Sequence, residues 1–367
     1  MSDPTAARIQ AEAHPERLYR FMEFCGGHTH ALSRYGVTEL LPPQVQMIHG
    51  PGCPVCVLPI GRLEQAIALA RRPGTVVCTF GDVMRVPGKR RMSLARARAE
   101  GAGVRMVLGS GDALEFARRN PDTEVVFLAI GFETTTPPTA AVVRDATALG
   151  VRNFSVLVNH VLTPPAMEAI VASAALAGGV EVDGFVGPGH VSTIVGLAPY
   201  ERFARAHGKP VVVAGFEPLD LLHAILLLVR QLDDGRCEVE NAYARAVVPE
   251  GNRKASALTD EVFELRPSFA WRGLGSLPAS ALALRPAYAA GDAERRWDVP
   301  AEAIADHPAC ACGEILRGAK KPPECRIFGT VCTPESPVGS CMVSPEGACA
   351  AYHTYGLVRG ARREART

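Results

Sequence analysis

The chain has no excess of either charge: 39 lysines and arginines face 38 aspartates and glutamates in 367 residues, a net charge of +1. Without a local patch, so small a net charge cannot hold the phosphates of a nucleic acid or an anionic membrane, and neither is expected as a partner. Long apolar runs are also missing. The longest, 221–229, has His223 inside it and falls well short of the ~20 residues that span a bilayer. The opening MSDPTAARIQAEAHPE has no apolar export segment, so a soluble, cytoplasmic protein is expected. Neither G-x-G-x-x-G nor a Walker A loop occurs, since Gly109-Ser110-Gly111 lacks the third glycine, and dinucleotide and P-loop folds are disfavoured. The 35 glycines and 29 prolines are dispersed, which leaves only the ends as candidates for disorder.

What the chain does have is length and apolar content. At 367 residues, 47% hydrophobic and 21% charged, it exceeds one ordinary core and suggests two to three domains of about 100–200 residues. Short apolar runs alternate with amphipathic stretches, the pattern of βα units in parallel sheets. Strands are predicted at 75–80, 104–109, 125–130, 155–158, 184–186 and 211–214. Thr136 before Pro137 and Pro138, and Thr163 before Pro164 and Pro165, are placed to cap helices, because proline in the first turn loses no needed N–H. Pro218 opens a third helix.

The expected fold class is α/β, with two parallel-sheet domains forming a cleft and a smaller cysteine-rich domain. An N-terminal segment, 1–45, is expected to pack with the C-terminal module. The first α/β domain is expected at 46–150 and the second at 151–249, with Gly150 as the helix stop between them. From 250 to 367 an irregular Pro/Gly/Arg-rich connection leads to the cysteine module and a solvated basic tail. Gly131-Phe132-Glu133 and Gly215-Phe216-Glu217 echo one another and hint at two similar halves. Ligands of open α/β sheets bind beyond the carboxyl ends of the strands. Asp82, Glu133, His160, His190 and Glu217 fall at such ends; each alone would be a capping or core residue, and several in one crevice would be a site.

The eleven cysteines of a chain with no export signal point to metal binding or redox chemistry rather than to structural disulfides. Cys25-Gly-Gly-His28-Thr-His30 brings a thiol and two imidazoles together around a glycine turn, suited to a metal-binding or proton-coupled thiolate; the alternative is a turn with a buried cysteine. Cys53-Pro-Val-Cys56 can form a disulfide or supply two metal ligands. No second thiol pair lies beside it to complete a zinc knuckle. Cys78 and Cys237 stand alone. Cys310, Cys312, Cys325, Cys332, Cys341 and Cys349 are more than the four thiols that one zinc or one cubane takes, and their irregular spacing suits an iron–sulfur site better than a zinc ribbon.

FCGGHTH at 24–30, HGPGCPVCVLP at 49–59, TFGDVMRVPG at 79–88, GFETTTPP at 131–138, GPGHVSTIVG at 187–196, AGFEPLDLL at 214–222 and the cysteine-bearing stretch 312–352 occur in one order. In these motifs, across nearly its whole length, the chain resembles the HypD family of nickel–iron hydrogenase maturation factors. The resemblance implies two α/β domains and a third domain bearing a [4Fe–4S] cluster. It implies an assembly scaffold more than an enzyme that turns over a metabolite. On such a scaffold, with a HypC-type chaperone, an iron atom would receive carbon monoxide and two cyanides, the cyanide coming from a HypE-type partner. The Fe(CN)2CO unit would then pass to the hydrogenase large subunit.

On that basis Cys25 is expected to bind the transient iron as thiolate with His28 as its proton or hydrogen-bond partner, and Cys53 and Cys56 to act as a reversible dithiol that holds or releases the iron as it switches state. Asp82, Glu133 and His190 are expected to face the cleft. Because a C-x-C rarely gives two ligands to one cubane, Cys312, Cys325, Cys332 and Cys349 are expected to hold the cluster, with Cys341 as the competing fourth ligand. Cys310 and Cys341 would remain as a dithiol beside it, an arrangement resembling ferredoxin-thioredoxin reductase. An independent dithiol–disulfide reductase is the second functional reading, and a zinc-stabilised metabolic enzyme a distant third.

Overall fold

The computed structural model describes residues 4–174 and 179–356; the basic tail lies outside them. In chain order the first elements are α1 (Pro4–Glu12), β1 (Tyr19–Glu23), α2 (Gly26–Tyr35), β2 (Val45–His49), α3 (Pro54–Val57), α4 (Ile60–Ala70) and β3 (Thr75–Thr79). Then follow α5 (Leu94–Ala99), β4 (Val104–Met106), α6 (Ser110–Arg119), β5 (Glu124–Gly131), α7 (Thr136–Ala148), β6 (Phe154–His160) and α8 (Thr163–Ser173). After these come β7 (Gly184–Pro188), α9 (Gly189–Val195), α10 (Ala198–His207), β8 (Val211–Ala214), α11 (Pro218–Asp233) and β9 (Val239–Asn241).

These strands form two parallel sheets, one ordered β2-β1-β7-β8-β9 and the other β4-β3-β5-β6. Numbered within each sheet, both read 2-1-3-4, and the larger sheet adds a fifth strand. The two halves therefore share a winding. The Gly-Phe-Glu echo does not mark it, because it ends the third strand of one sheet and the fourth of the other. Helices cover the faces, so the central strands read as unbroken apolar text: β5 is buried along Val125–Ile130 and β8 throughout.

The six predicted strands are present, with β4 stopping at Met106. Sheet membership departs from the expected boundaries. β1 and β2 sit in the larger sheet, where β1 pairs with β7, while β6 completes the smaller one. Neither 45 nor 150 is thus a boundary between sheets; Gly150 only ends α7, in a left-handed turn at φ 65°. The 1–45 segment does reach the C-terminal module through α2, whose His30 Nδ1 lies 3.3 Å from the Pro345 carbonyl.

The two threonines are first helical residues rather than caps. Thr136 Oγ1 donates back to the Phe132 carbonyl and Thr163 Oγ1 to Glu133, leaving the N-cap positions to Thr135 and Leu162. The stretch read as irregular connection contains α12 (Arg253–Val262), two hairpin-like pairs and α13 (Ala293–Arg296). The pairs are β10 (Phe263–Leu265) with β13 (Leu282–Leu284), and β11 (Ser268–Trp271) with β12 (Gly275–Pro278). Strands this short carry too little periodicity to be read. Beyond them the cysteine module is mostly loop, with α14 (Cys312–Leu316) and α15 (Ala348–Ala351) as its short helices.

Candidate functional site

In the larger sheet β2 is added on one side of β1, and β7, which follows the smaller sheet in the chain, on the other, so the direction of winding reverses between β1 and β7. Such a reversal opens a crevice at the carboxyl ends of the strands. Phe24 and Cys25 leave β1 there, and Gly189 and His190 leave β7. Cys25 caps α2 with extended backbone. The glycines around it are dictated by space: a Cβ on Gly52 would lie 2.4 Å from the Cys25 nitrogen, and one on Gly27 2.8 Å from the Phe216 ring. Gly26 N–H donates to the Gly52 carbonyl at 3.0 Å, tying the Cys25 turn to the loop that carries Cys53.

Below this turn sits Glu23, fully buried at the end of β1. It accepts the Cys25 N–H at 3.0 Å and the Thr29 hydroxyl, and its Oε1 is 3.0 Å from His49 Nδ1 on the neighbouring strand. Burial pushes the Cys25 thiol up to about 12, helped by the carboxylates of Glu346 and Glu23. His28 is buried, held by Nε2 at 3.2 Å from the Ala214 carbonyl, while its Nδ1 has no partner. Burial lowers its pKa, which keeps the ring neutral and able to take or pass a proton. His190, exposed, stacks on Phe216 with ring centroids 3.8 Å apart, and His28 packs on the same ring at 4.9 Å.

Cys53 and Cys56 form a disulfide with Cα atoms 5.2 Å apart. Both are buried, and Cys53 caps α3. The Ser340 hydroxyl donates to the Cys56 carbonyl at 2.9 Å and lies 3.5 Å from Cys312 Sγ. One side chain thus touches both the disulfide loop and the cysteine module.

All six C-terminal cysteines line one small cavity, closed by Ile315, Phe328, Gly339 and Met342. Cys312 Sγ is 2.7 Å from Cys341 Sγ, and Cys332 Sγ accepts the Val338 N–H at 3.3 Å. Hydrogen bonds from Cys310 and Cys341 lower the Cys312 thiol pKa, while the bond to Cys312 raises those of Cys310 and Cys341. The sulfurs are linked in series, Cys310 to Cys312, Cys312 to Cys341 and Cys341 to Cys349, so Cys312 stands between the two thiols expected to form a dithiol. Among the described residues no three His, Cys, Asp or Glu side chains converge on one ion position. A cubane takes a thiolate at each of four separate corners, and thiols spread around a cavity suit it better than thiols converging on a point.

The other expected site residues divide. Asp82 caps a short turn through Val83 N–H at 2.9 Å and stands close enough to Glu346 to raise that carboxyl, after burial, together with Glu23; this brings it to the Cys25 side of the cleft. Glu133 instead turns to the start of α8, accepting the Thr163 N–H at 2.8 Å and its hydroxyl at 3.0 Å. Burial raises it to about 7. His160 is buried against Thr139, and Glu217 is exposed beside Arg245. Glu23, Ser340 and Glu346 were not singled out from the sequence. Only Glu23 carried a signal, as an acid ending an apolar run.

Doubly wound twin sheets, a thiol at a switch point, and a disulfide joined to a six-cysteine loop module define an α/β protein with a cysteine-rich module. Comparison with known proteins makes this particular. Residues 1–356 match the family model HypD, described as "Hydrogenase formation hypA family". The chain is 62% identical to the hydrogenase maturation factor HypD of Cupriavidus necator over 353 residues, 96% of this chain and 93% of that one. It is 61% identical to the factor of the same name from Azotobacter vinelandii, covering 97% and 94%, and 44% identical to that of Escherichia coli, covering 93% and 90%. The chain belongs to the HypD family of hydrogenase maturation factors. No helix among the described residues is long and apolar enough to cross a membrane.

Proposed function

We propose that this maturation factor is the scaffold on which, with a HypC-type chaperone, an Fe(CN)2CO unit is assembled, the cyanide coming from a HypE-type partner and the product going to the hydrogenase large subunit. The iron is cargo. Its protein ligand is Cys25: the thiol sits at a switch point, its N–H is fixed by Glu23, and burial excludes water from a bound low-spin iron. Burial holds Cys25 protonated, so binding a cation must displace that proton, and the neutral His28 ring, three residues on in the same turn with Nδ1 unpartnered, is the group that takes it.

The observation that carries the reading is the Ser340 contact between the Cys56 carbonyl and Cys312 Sγ. Opening the Cys53–Cys56 disulfide consumes two electrons and two protons and gives two thiols. A [4Fe–4S] cluster bound among Cys312, Cys325, Cys332 and Cys349, or with Cys341 as fourth ligand, supplies one-electron transfer from an external low-potential donor. Ser340 holds the disulfide against that cavity, and the module keeps it from solvent. The opened pair then offers thiolates beside the Cys25 turn.

Infrared spectra of anaerobically purified protein with its small chaperone test this. Bands of bound carbon monoxide and cyanide are expected; maturation-competent protein without them would overturn the scaffold reading. The nearness of the disulfide to the cavity also favours an independent dithiol–disulfide reductase. That reading requires Cys25→Ala to retain disulfide turnover and predicts no diatomic bands.

A further inference from the structure

Arg272 is 5% exposed, and a buried guanidinium is costly unless its charge and its donors are met. Its backbone N–H donates to the Val57 carbonyl at 2.8 Å and its Nε to the Leu58 carbonyl at 3.0 Å, both on the turn that follows Cys56. Nη1 lies 3.2 Å from Asp306. Nη2 is buried with no partner.

The neighbouring residue fixes what this donor stands beside. Gly273, at φ +82°, packs backbone to backbone on Gly313, so that a Cβ on Gly273 would lie 2.9 Å from the Gly313 Cα. Arg317 clamps the same turn through the Gly273 carbonyl. Gly313 follows Cys312 in sequence, and Cys312 lines the six-thiol cavity. Arg272 is therefore joined on one side to the Cys53–Cys56 loop and on the other to the start of the cysteine module. Its one unsatisfied donor and its positive charge lie at that junction.

We infer that Arg272 is a positioning residue for electron transfer: it pins the disulfide loop to the cysteine module and sets, by its charge, the reduction potential of the cluster held there. The inference rests on the cluster reading above. Reduction adds a negative charge to the cluster, and a nearby fixed cation stabilises the reduced form in a low-dielectric interior. Asp306 opposes that effect. Removing the cation must lower the potential, and removing the carboxylate must raise it.

The test is an anaerobic dithionite titration of the full chain, followed by electron paramagnetic resonance, with iron and sulfide content and circular dichroism measured on each sample. Arg272→Gln, which keeps a hydrogen-bonding amide without the charge, is expected to weaken cluster reduction at least tenfold, which is 59 mV for one electron. Arg272→Lys is expected to stay closer to the parent protein. Asp306→Asn is expected to move the potential the other way, and it carries the test should Arg272→Gln fail to fold. Potentials unchanged in both Arg272→Gln and Asp306→Asn, with full iron and sulfide, would overturn the inference and leave the cluster reading standing. So would equal shifts in Arg272→Lys and Arg272→Gln. Parent protein that binds no iron and sulfide on anaerobic reconstitution would overturn the cluster reading, and this inference with it.

Discussion

A thiol pushed up to about 12 by burial is a poor nucleophile and a protected one, and Cys25 gains reactivity only when a cation replaces its proton. Cys25→Ala is accordingly expected to abolish hydrogenase maturation while the iron content of the C-terminal module stays at the parent level. Elemental analysis beside a hydrogenase activity assay reads both; a mutant that still gathers iron with carbon monoxide and cyanide bands would remove the assignment. Glu133 gives a pH test. Its pKa is raised from 4.5 to about 7 by burial, so the folded form keeps its proton to higher pH than the unfolded chain. The stability this group confers is full below the ordinary carboxyl pKa and is lost as pH rises through about 7, amounting to about 3 kcal/mol. Urea unfolding between pH 4.5 and 8.5 is expected to show the parent losing that much more than Glu133→Gln. Parallel losses would mean that Glu133 is ionised in the folded state.

Elements were legible where one segment carried its own signal. The apolar runs of β3, β5, β6, β7 and β8 gave strands, and the Pro-Pro pairs gave helix starts within a residue. The cysteine motifs marked the Cys25 turn and the disulfide loop. Pairing was not legible. That β1 lies beside β7 depends on packing between segments far apart in sequence, and a parallel strand buried on both faces reads alike in any position. The site residues that were missed share this cause: Ser340 and Glu346 are ordinary in their own loop and matter only for what the fold sets against them. The disulfide loop tests the point. Cys53→Ser with Cys56→Ser is expected to block maturation and yet leave the circular dichroism spectrum unchanged, because α3 is also held by the Ser340 bond to the Cys56 carbonyl. Normal maturation would make the pair structural. Gly52→Ala should fail differently, by forcing the Cys25 turn away from the loop: a Cβ there has no room beside the Cys25 backbone.

Buried polar struts as well as apolar packing hold the smaller sheet to the helices that cover it. Arg62 of α4 reaches Asn159 Oδ1 at 2.6 Å and the Val158 carbonyl at 2.7 Å on β6, and pairs with Glu294 of α13. Glu294 in turn pairs with Arg266. Removing one member of a buried charged network leaves its partners unpaired, so Arg62→Ala is expected to cost about 3–5 kcal/mol of unfolding free energy, read as a lower urea midpoint. A loss below about 1 kcal/mol would show the strut to be solvated.

The place of β1 between β2 and β7 sets a timetable on the ribosome. Its neighbour β7 is made on the order of 160 residues later, a wait of roughly ten to thirty seconds at about 5–20 residues per second. The smaller sheet needs only residues up to β6 and can close during that wait. The Cys25 turn and the Cys53–Cys56 loop emerge first and are enclosed late, so in the nascent chain their thiols meet the redox buffer of the cell before the crevice that will shelter them exists.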